Sequence, residues 1–121
     1  MVVRVGPTDD EADRLFQALA DTTRRDIVTR VIREEQSVTA LARHYAMSFA
    51  AVQKHVAVLA RASLVTKRRR GREQVVRADM DGLRRAARLL DAYEELWRQR
   101  VQRIEDLLTE DVPGRDASAP G

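Results

Sequence analysis

Five successive stretches with apolar residues every three or four positions, and two short arginine-rich strand patterns around Gly71, predict a mainly α-helical fold with a small β-hairpin. The charge distribution points the same way. Between Ser37 and Arg77 nine cations stand against Glu73 alone, a local charge of +8 in a chain of net +3, which leaves −5 on the other 80 residues. A cationic segment laid over closely spaced helices is the electrostatic footprint of a surface that meets a polyphosphate.

Gly6 and Pro7 close a short leader, after which Thr8 or Asp9 can cap a helix with Ala12, Leu15, Phe16 and Leu19 on its apolar side, ending near Ala20. Asp21, Thr22 and Thr23 then offer caps to a second helix carrying Ile27, Val28, Val31 and Ile32 through about Arg33. From Ser37 a short helix turns Val38, Leu41, Ala42 and Tyr45 inward. Ser48 caps the next, whose Phe49, Val52, Val56 and Leu59 form an apolar stripe, so that Ala50, Gln53, Lys54, Ala57 and Arg61 lie off it. Only Ala46 and Met47 are left between these two helices, a connection that forces the steep crossing of a helix-turn-helix.

Val65 to Arg69 and Arg72 to Arg77 read as two strands joined at Arg70 and Gly71, a basic hairpin or wing. Asp81 opens the longest helix, with Leu83, Ala87, Leu90, Tyr93 or Glu94, Trp97, Val101, Ile104 and Leu108 at heptad-like spacing. The whole is a winged helix-turn-helix with about five helices and a long C-terminal dimerisation helix, one domain over residues 8–110 flanked by flexible termini at 1–7 and 111–121.

With 121 residues, 44% hydrophobic and 34% charged, one small domain is the natural size. There is no cysteine, hence no disulfide and no thiolate metal site. No basic leader precedes an apolar run, and no stretch approaches the roughly 20 apolar residues of a membrane span. The expectation is a soluble cytoplasmic protein without membrane contact. Two histidines, no cysteine and no glycine-rich phosphate loop supply no nucleophile and base pair, so no enzyme activity, catalytic residue or cofactor is expected.

Two segments then carry a likeness. Ala20-Asp21-Thr22-Thr23-Arg24-Arg25-Asp26-Ile27-Val28, together with Val52-Gln53-Lys54-His55-Val56-Ala57-Val58-Leu59 continuing to Ala62-Ser63-Leu64-Val65, resembles the ArsR/SmtB family of winged-helix bacterial repressors. The likeness spans about residues 11 to 108. It implies a DNA-binding regulator, a repressor, with the first and last helices forming a two-fold interface.

This chain departs from the family pattern in places. Ala50 stands where many members have proline, Gln53 where most have a small serine, and Ser63 replaces the usual helix-ending glycine. Ser63 therefore takes a left-handed terminus at a small cost, or the cap differs. Where family sensors place a Cys-x-Cys pair, this chain has Ser37 and Thr39. On the last helix the two frames of the family spacing meet Asp81, Leu83, Glu94 and Trp97, or Asp79, Asp81, Ala92 and Glu95, neither with a histidine. A borderline metal needs three or four converging nitrogen, sulfur or carboxylate ligands, so no metal site is expected. The segment from Tyr93 to Val101 resembles the branch of the family without an obvious inducer site, and the small-molecule effector is unknown.

In the winged-helix mode the N-terminal part of the second helix of the motif enters the major groove, which places Ser48, Phe49, Ala50, Gln53, Lys54 and His55 at double-stranded DNA. Gln53 is the best candidate for base readout, since glutamine can pair with adenine through two hydrogen bonds. Phe49 lies on the apolar stripe, which favours core packing over a thymine-methyl contact. His55 lies beside the stripe, as a packed or phosphate-contacting residue. Lys67, Arg68, Arg69, Arg70 and Arg72 cluster in the wing, where they would repel one another without a nearby anion. Leu15, Phe16, Leu19, Leu90, Tyr93, Trp97, Val101 and Ile104 are the expected homodimer interface. The reading is a dimeric sequence-specific regulator, a repressor on a near-palindromic operator. A nonspecific nucleoid-type DNA binder and a coiled-coil adaptor for an acidic protein partner are the alternatives.

Overall fold

A computed structural model describes residues 8–110, so the expected flexible termini lie outside the described residues. The element order is α1 (Asp9–Leu19), α2 (Thr22–Arg33), β1 (Gln36–Ser37), α3 (Val38–Ala42), α4 (Phe49–Arg61), β2 (Val65–Arg70), β3 (Glu73–Ala78) and α5 (Met80–Glu110). The chain forms two compact units, one ending at Leu89 and the other beginning at Leu90.

Short polar side chains start the helices of the first unit, each satisfying an amide that the first turn leaves free. Thr8 and Glu11 form a reciprocal capping box: the Glu11 amide donates to Thr8 Oγ1 at 3.2 Å and the Thr8 amide to Glu11 Oε1 at 3.0 Å. Asp21 Oδ2 accepts from the Arg24 amide at 2.9 Å, Ser37 Oγ from Ala40 at 3.0 Å, and Ser48 Oγ from Ala51 at 3.1 Å. The carbonyls at the end of α1 are covered in turn by α2, whose Arg24 donates to Gln17 and Ala18 and whose Arg25 donates to Leu19.

These starts aim one apolar face of each helix at a common core. Ile27, Leu41, Val52, Val56, Leu59 and Leu64 have essentially no exposed surface, and each such side chain contributes about 1.5–3 kcal/mol of transfer free energy. Leu15 and the unforeseen Ala18 belong to this core. Ile32, at an apolar-spaced position of α2, instead faces outward.

The structure also corrects the sequence reading of the sheet, the helix-turn-helix connection and the wing. The sheet has three strands in the order β1-β3-β2, because Gln36 and Ser37 pair antiparallel with Val76 and Val75. The helix-turn-helix connection is longer than two residues, since α3 ends at Ala42 and Arg43 to Met47 form the turn. Third, the wing turns at Gly71 and Arg72, not at Arg70 and Gly71, with Arg70 opposite Glu73 and Arg69 opposite Gln74. Gly71 has φ +62° while Arg72 stays at negative φ, the sign pattern of a type II′ hairpin turn with glycine first.

Asp26 ties α2 to the helix-turn-helix connection. Its Oδ2 accepts from Tyr45 Oη at 2.6 Å and from Arg30 Nε at 2.7 Å. The Tyr45 bond, then that of Arg30, holds the Asp26 carboxyl below its ordinary range. Burial, followed by the bond to Asp26, pushes the Tyr45 phenol up to about 12.

At the other end of α4 the chain reverses through Ser63 at φ +60°, the left-handed terminus foreseen for the missing glycine. The Leu64 amide donates back to the Leu59 carbonyl at 3.0 Å, and the Asp79 amide to the Leu64 carbonyl at 3.0 Å, closing the base of the wing. Asp79 Oδ1 accepts from the Gly82 amide at 3.1 Å. Gly82 is required here: a Cβ at this position would lie 1.5 Å from the Ser63 carbonyl oxygen.

In the second unit, residues 90–110 are the C-terminal part of α5. Leu90, Tyr93, Leu96, Trp97, Ile104, Leu107 and Leu108 are all exposed, between 45% and 62% of their surface.

Candidate nucleic-acid interface

Helix α4 is anchored by Val52, Val56 and Leu59, and at 100° per residue this leaves Ser48, Phe49, Ala50, Gln53 and Lys54 outward at its N-terminal half. Phe49 is a correction. It keeps 46% of its surface exposed and does not pack in the core. It is the first residue of the helix, one turn before the buried Val52.

A concave cleft unites this end of α4 with the wing. Phe49 and Gln53 line it on one side, Arg69, Arg72, Glu73 and Gln74 on the other, and Val38 and Thr39 of α3 form its floor. Thr39 and Gln74 were not foreseen as part of this surface. Gln74 would have followed from the register once the turn is placed at Gly71 and Arg72, because it is the cross-strand partner of Arg69.

The corrected register also divides the wing cations. Side chains alternate along a strand, so Lys67 and Arg69 share one face of β2, and Arg68 and Arg70 the other. Arg69 belongs to the cleft. Arg70 points toward Glu35, with Nη2 at 3.3 Å from Oε1, and Arg77 Nε lies 3.6 Å from the second oxygen of the same carboxylate. The five wing cations are therefore not one cluster: Arg69 and Arg72 stand beside Gln53, while Arg70 is partly balanced by Glu35.

His55 is engaged within the chain by residues of α2. Arg24 Nη1 approaches its Nδ1 at 3.1 Å, and because guanidinium only donates, Nδ1 is the acceptor. Asp21 Oδ2 lies 3.9 Å from the same nitrogen. The backbone hydrogen bond from Arg24 is the main cause holding the Asp21 carboxyl below its ordinary range. Arg24, Asp21 and His55 thus join the start of α2 to the middle of α4, which gives the family-signature histidine a packing role.

Leu15, Phe16 and Leu19 divide similarly. Leu15 has only 5% of its surface free and nothing to offer a second subunit, because α1 turns it onto the core; Leu19 packs at the core edge, and Phe16 is 46% exposed. Leu90, Tyr93, Trp97 and Ile104 are exposed, and Val101 is half-buried.

The positions where the family resemblance places thiolate ligands do not suit a metal. The Ser37 hydroxyl is occupied as the α3 cap, and among the described residues no three His, Asp or Glu side chains are grouped to hold an ion. No helix among them is long and apolar enough to cross a membrane.

No family model matches the chain. Over 81 residues it is 42% identical to the HTH-type transcriptional regulator Rv2034 of Mycobacterium tuberculosis, an alignment covering 67% of this chain and 76% of that protein. The solved structure of an ArsR-like transcriptional regulator from Rhodococcus sp. RHA1 superposes with a TM-score of 0.71 at 34% identity, over 81% of this chain and 92% of that one. The chain belongs to the ArsR family of winged helix-turn-helix transcriptional regulators. A third relative, the homodimeric winged helix-turn-helix DNA-binding domain of Mb0332 from Mycobacterium bovis, superposes with a TM-score of 0.58 at 26% identity, over 76% of this chain and 92% of that one. The cleft between α4 and the wing offers an amide and a hydroxyl able to pair with base edges, and guanidinium groups able to hold phosphates.

Proposed function

We propose that this ArsR-family protein is a homodimeric repressor that binds a near-palindromic operator and blocks promoter access. The observation that carries the reading is the cleft in which Gln53 and Phe49 of α4 face Arg69 and Arg72 of the wing. Gln53 reads bases in the major groove, with adenine its best partner, and Phe49 offers an apolar ring to a thymine methyl. Ser48, Ala50 and Lys54 flank them, Lys54 at a phosphate. Arg69 and Arg72 hold backbone or the adjoining minor groove, with Lys67 and Arg68 contributing to the longer-range attraction.

A second copy supplies the second half-site. Residues 90–110 carry Leu90, Tyr93, Trp97 and Ile104 with about half of each side chain uncovered, a stripe that a partner subunit would bury, and the Mycobacterium bovis relative is a homodimer. Two recognition helices related by a two-fold axis would meet half-sites about one helical turn apart.

Capture and sequencing of bound genomic fragments, followed by footprinting, tests this reading. One protected near-palindrome, with affinity falling steeply as salt rises, is expected. Uniform coating of every fragment would mark a nucleoid-type binder, and absence of DNA binding an adaptor; either overturns the proposal.

A further inference from the structure

Arg61 belongs by sequence to the basic segment, yet it is not part of the DNA-facing cleft. It is the last residue of α4, about 12 Å along the helix axis from Gln53. There it lines a separate cavity of about 130 Å³ with Glu11 and Arg14 of α1, Ser63 of the reversal, and Gly82 and Arg85 of α5. Arg14 and Arg61 also line an adjoining hollow, so their guanidinium groups stand between two concavities.

The charge of this cavity is out of balance. Three guanidinium groups meet one carboxylate, a local +2. Glu11 is already shared between the capping box, where its Oε1 accepts the Thr8 amide, and the cavity's own Arg85, whose Nε stands 3.8 Å from Oε2. Arg14 and Arg61 have no carboxylate within ion-pair distance and no hydrogen-bond acceptor among the described residues, although both are positioned at a concave surface. Like charges gathered without a counterion destabilise the fold, and the arrangement is relieved by an anion that accepts from the planar guanidinium groups.

We propose that this cavity binds a small oxyanion, a phosphate ester or a polycarboxylate, held by Arg14 and Arg61 with Arg85 beside them. A volume of about 130 Å³ admits the anionic head of such a molecule. The location gives the site a consequence. Its wall includes Ser63, the left-handed residue that links the recognition helix to the wing, and Gly82, packed against the Ser63 carbonyl. An anion bridging Arg61 of α4 and Arg85 of α5 fastens the two sides of that junction together.

The test uses the full-length protein, with inorganic phosphate and citrate as probes, each titrated at constant ionic strength and read by thermal shift and calorimetry. A saturable rise in melting temperature with either probe is expected. Saturation by phosphate alone assigns the phosphate-ester class and by citrate alone the polycarboxylate class. The double variant Arg14→Gln/Arg61→Gln should lose affinity by at least about tenfold, since each removes charged hydrogen bonds, while Arg69→Gln/Arg72→Gln should retain it. Both pocket arginines are exposed and make no hydrogen bond or ion pair within 4 Å among the described residues, so their replacement should leave the fold intact. Independently of any variant, the amide resonances of Ser63 and Gly82 in the wild-type protein should shift along the same saturation curve. The proposal is overturned by no saturable response to either probe, or by a response that the wing variant abolishes and the pocket variant keeps.

Discussion

Replacing Arg69 by glutamine removes a cation that faces the cleft, whereas replacing Arg70 removes one whose charge Glu35 already offsets at 3.3 Å. Their effects on DNA binding should therefore differ although the residues are neighbours. If each Arg69 neutralises one phosphate, its replacement flattens the plot of log affinity against log salt by about 0.9, and replacement in both wings of a dimer by about 1.8. Across a roughly fourfold rise in salt this amounts to about a 12-fold change in affinity relative to the wild type. Arg70→Gln should leave the slope nearly unchanged, because the carboxylate it frees keeps Arg77 as a partner at 3.6 Å. Glu35→Gln, which releases both arginines, should steepen the slope. The assay is fluorescence anisotropy on one labelled operator fragment at four or more salt concentrations. A flattening by Arg70→Gln equal to or greater than that by Arg69→Gln would refute the division of the wing into two faces.

The packing sets the remaining outcomes. Gly82→Ala forces a methyl group into the Ser63 carbonyl and should cost about 3 kcal/mol, lowering Tm by more than about 10 °C, while Ser63→Gly relieves the left-handed residue and should stabilise by about 0.5 kcal/mol; denaturant titration of both variants checks this. The phenol of Tyr45 is raised from an ordinary 10.0 to about 12, so its contribution is complete below pH 10 and fades as the pH climbs toward 12. Asp26 is lowered, so its contribution is present above the ordinary carboxylate range and fades as acid protonates it. Tyr45→Phe should accordingly lose stability near neutrality, by about 1–2 kcal/mol, and show a flatter profile between pH 10 and 12; an unchanged alkaline limb would contradict the assignment. Trp97→Glu sets a charge on an exposed apolar stripe and should shift sedimentation toward the monomer and weaken operator binding in parallel.

Much of the fold is legible in the sequence because the helix signals are local. Thr8, Asp21, Ser37 and Ser48 each announce a helix by the amide they cap, and Val52, Val56 and Leu59 set the inward face of α4 by their spacing alone. What escaped depends on contacts between distant segments. Strand β1 is two residues long, too short for any periodicity, and exists because β3 offers it a partner. Moving the wing turn by one residue re-pairs β2 with β3 and makes Arg70 a strand residue, so the pairing of Arg69 with Gln74 and the setting of Arg70 beside Glu35 are invisible without the register. Phe49 has the spacing of a core residue but starts its helix, where its neighbours cover only about half of it. Arg61 counted toward the basic segment by position in the chain, and only the approach of α1 and α5 separates it from the cleft.

Selection of binding sequences from a random duplex library, with the wild-type protein and with Gln53→Ala in parallel, tests most directly that the cleft between α4 and the wing reads DNA. The wild type should enrich one near-palindromic motif with half-sites about one helical turn apart. Gln53→Ala should relax the preference at one position in each half-site and leave the salt dependence as it was. Enrichment of no motif, or of the same motif with undiminished preference at every position when Gln53 is absent, would contradict the account.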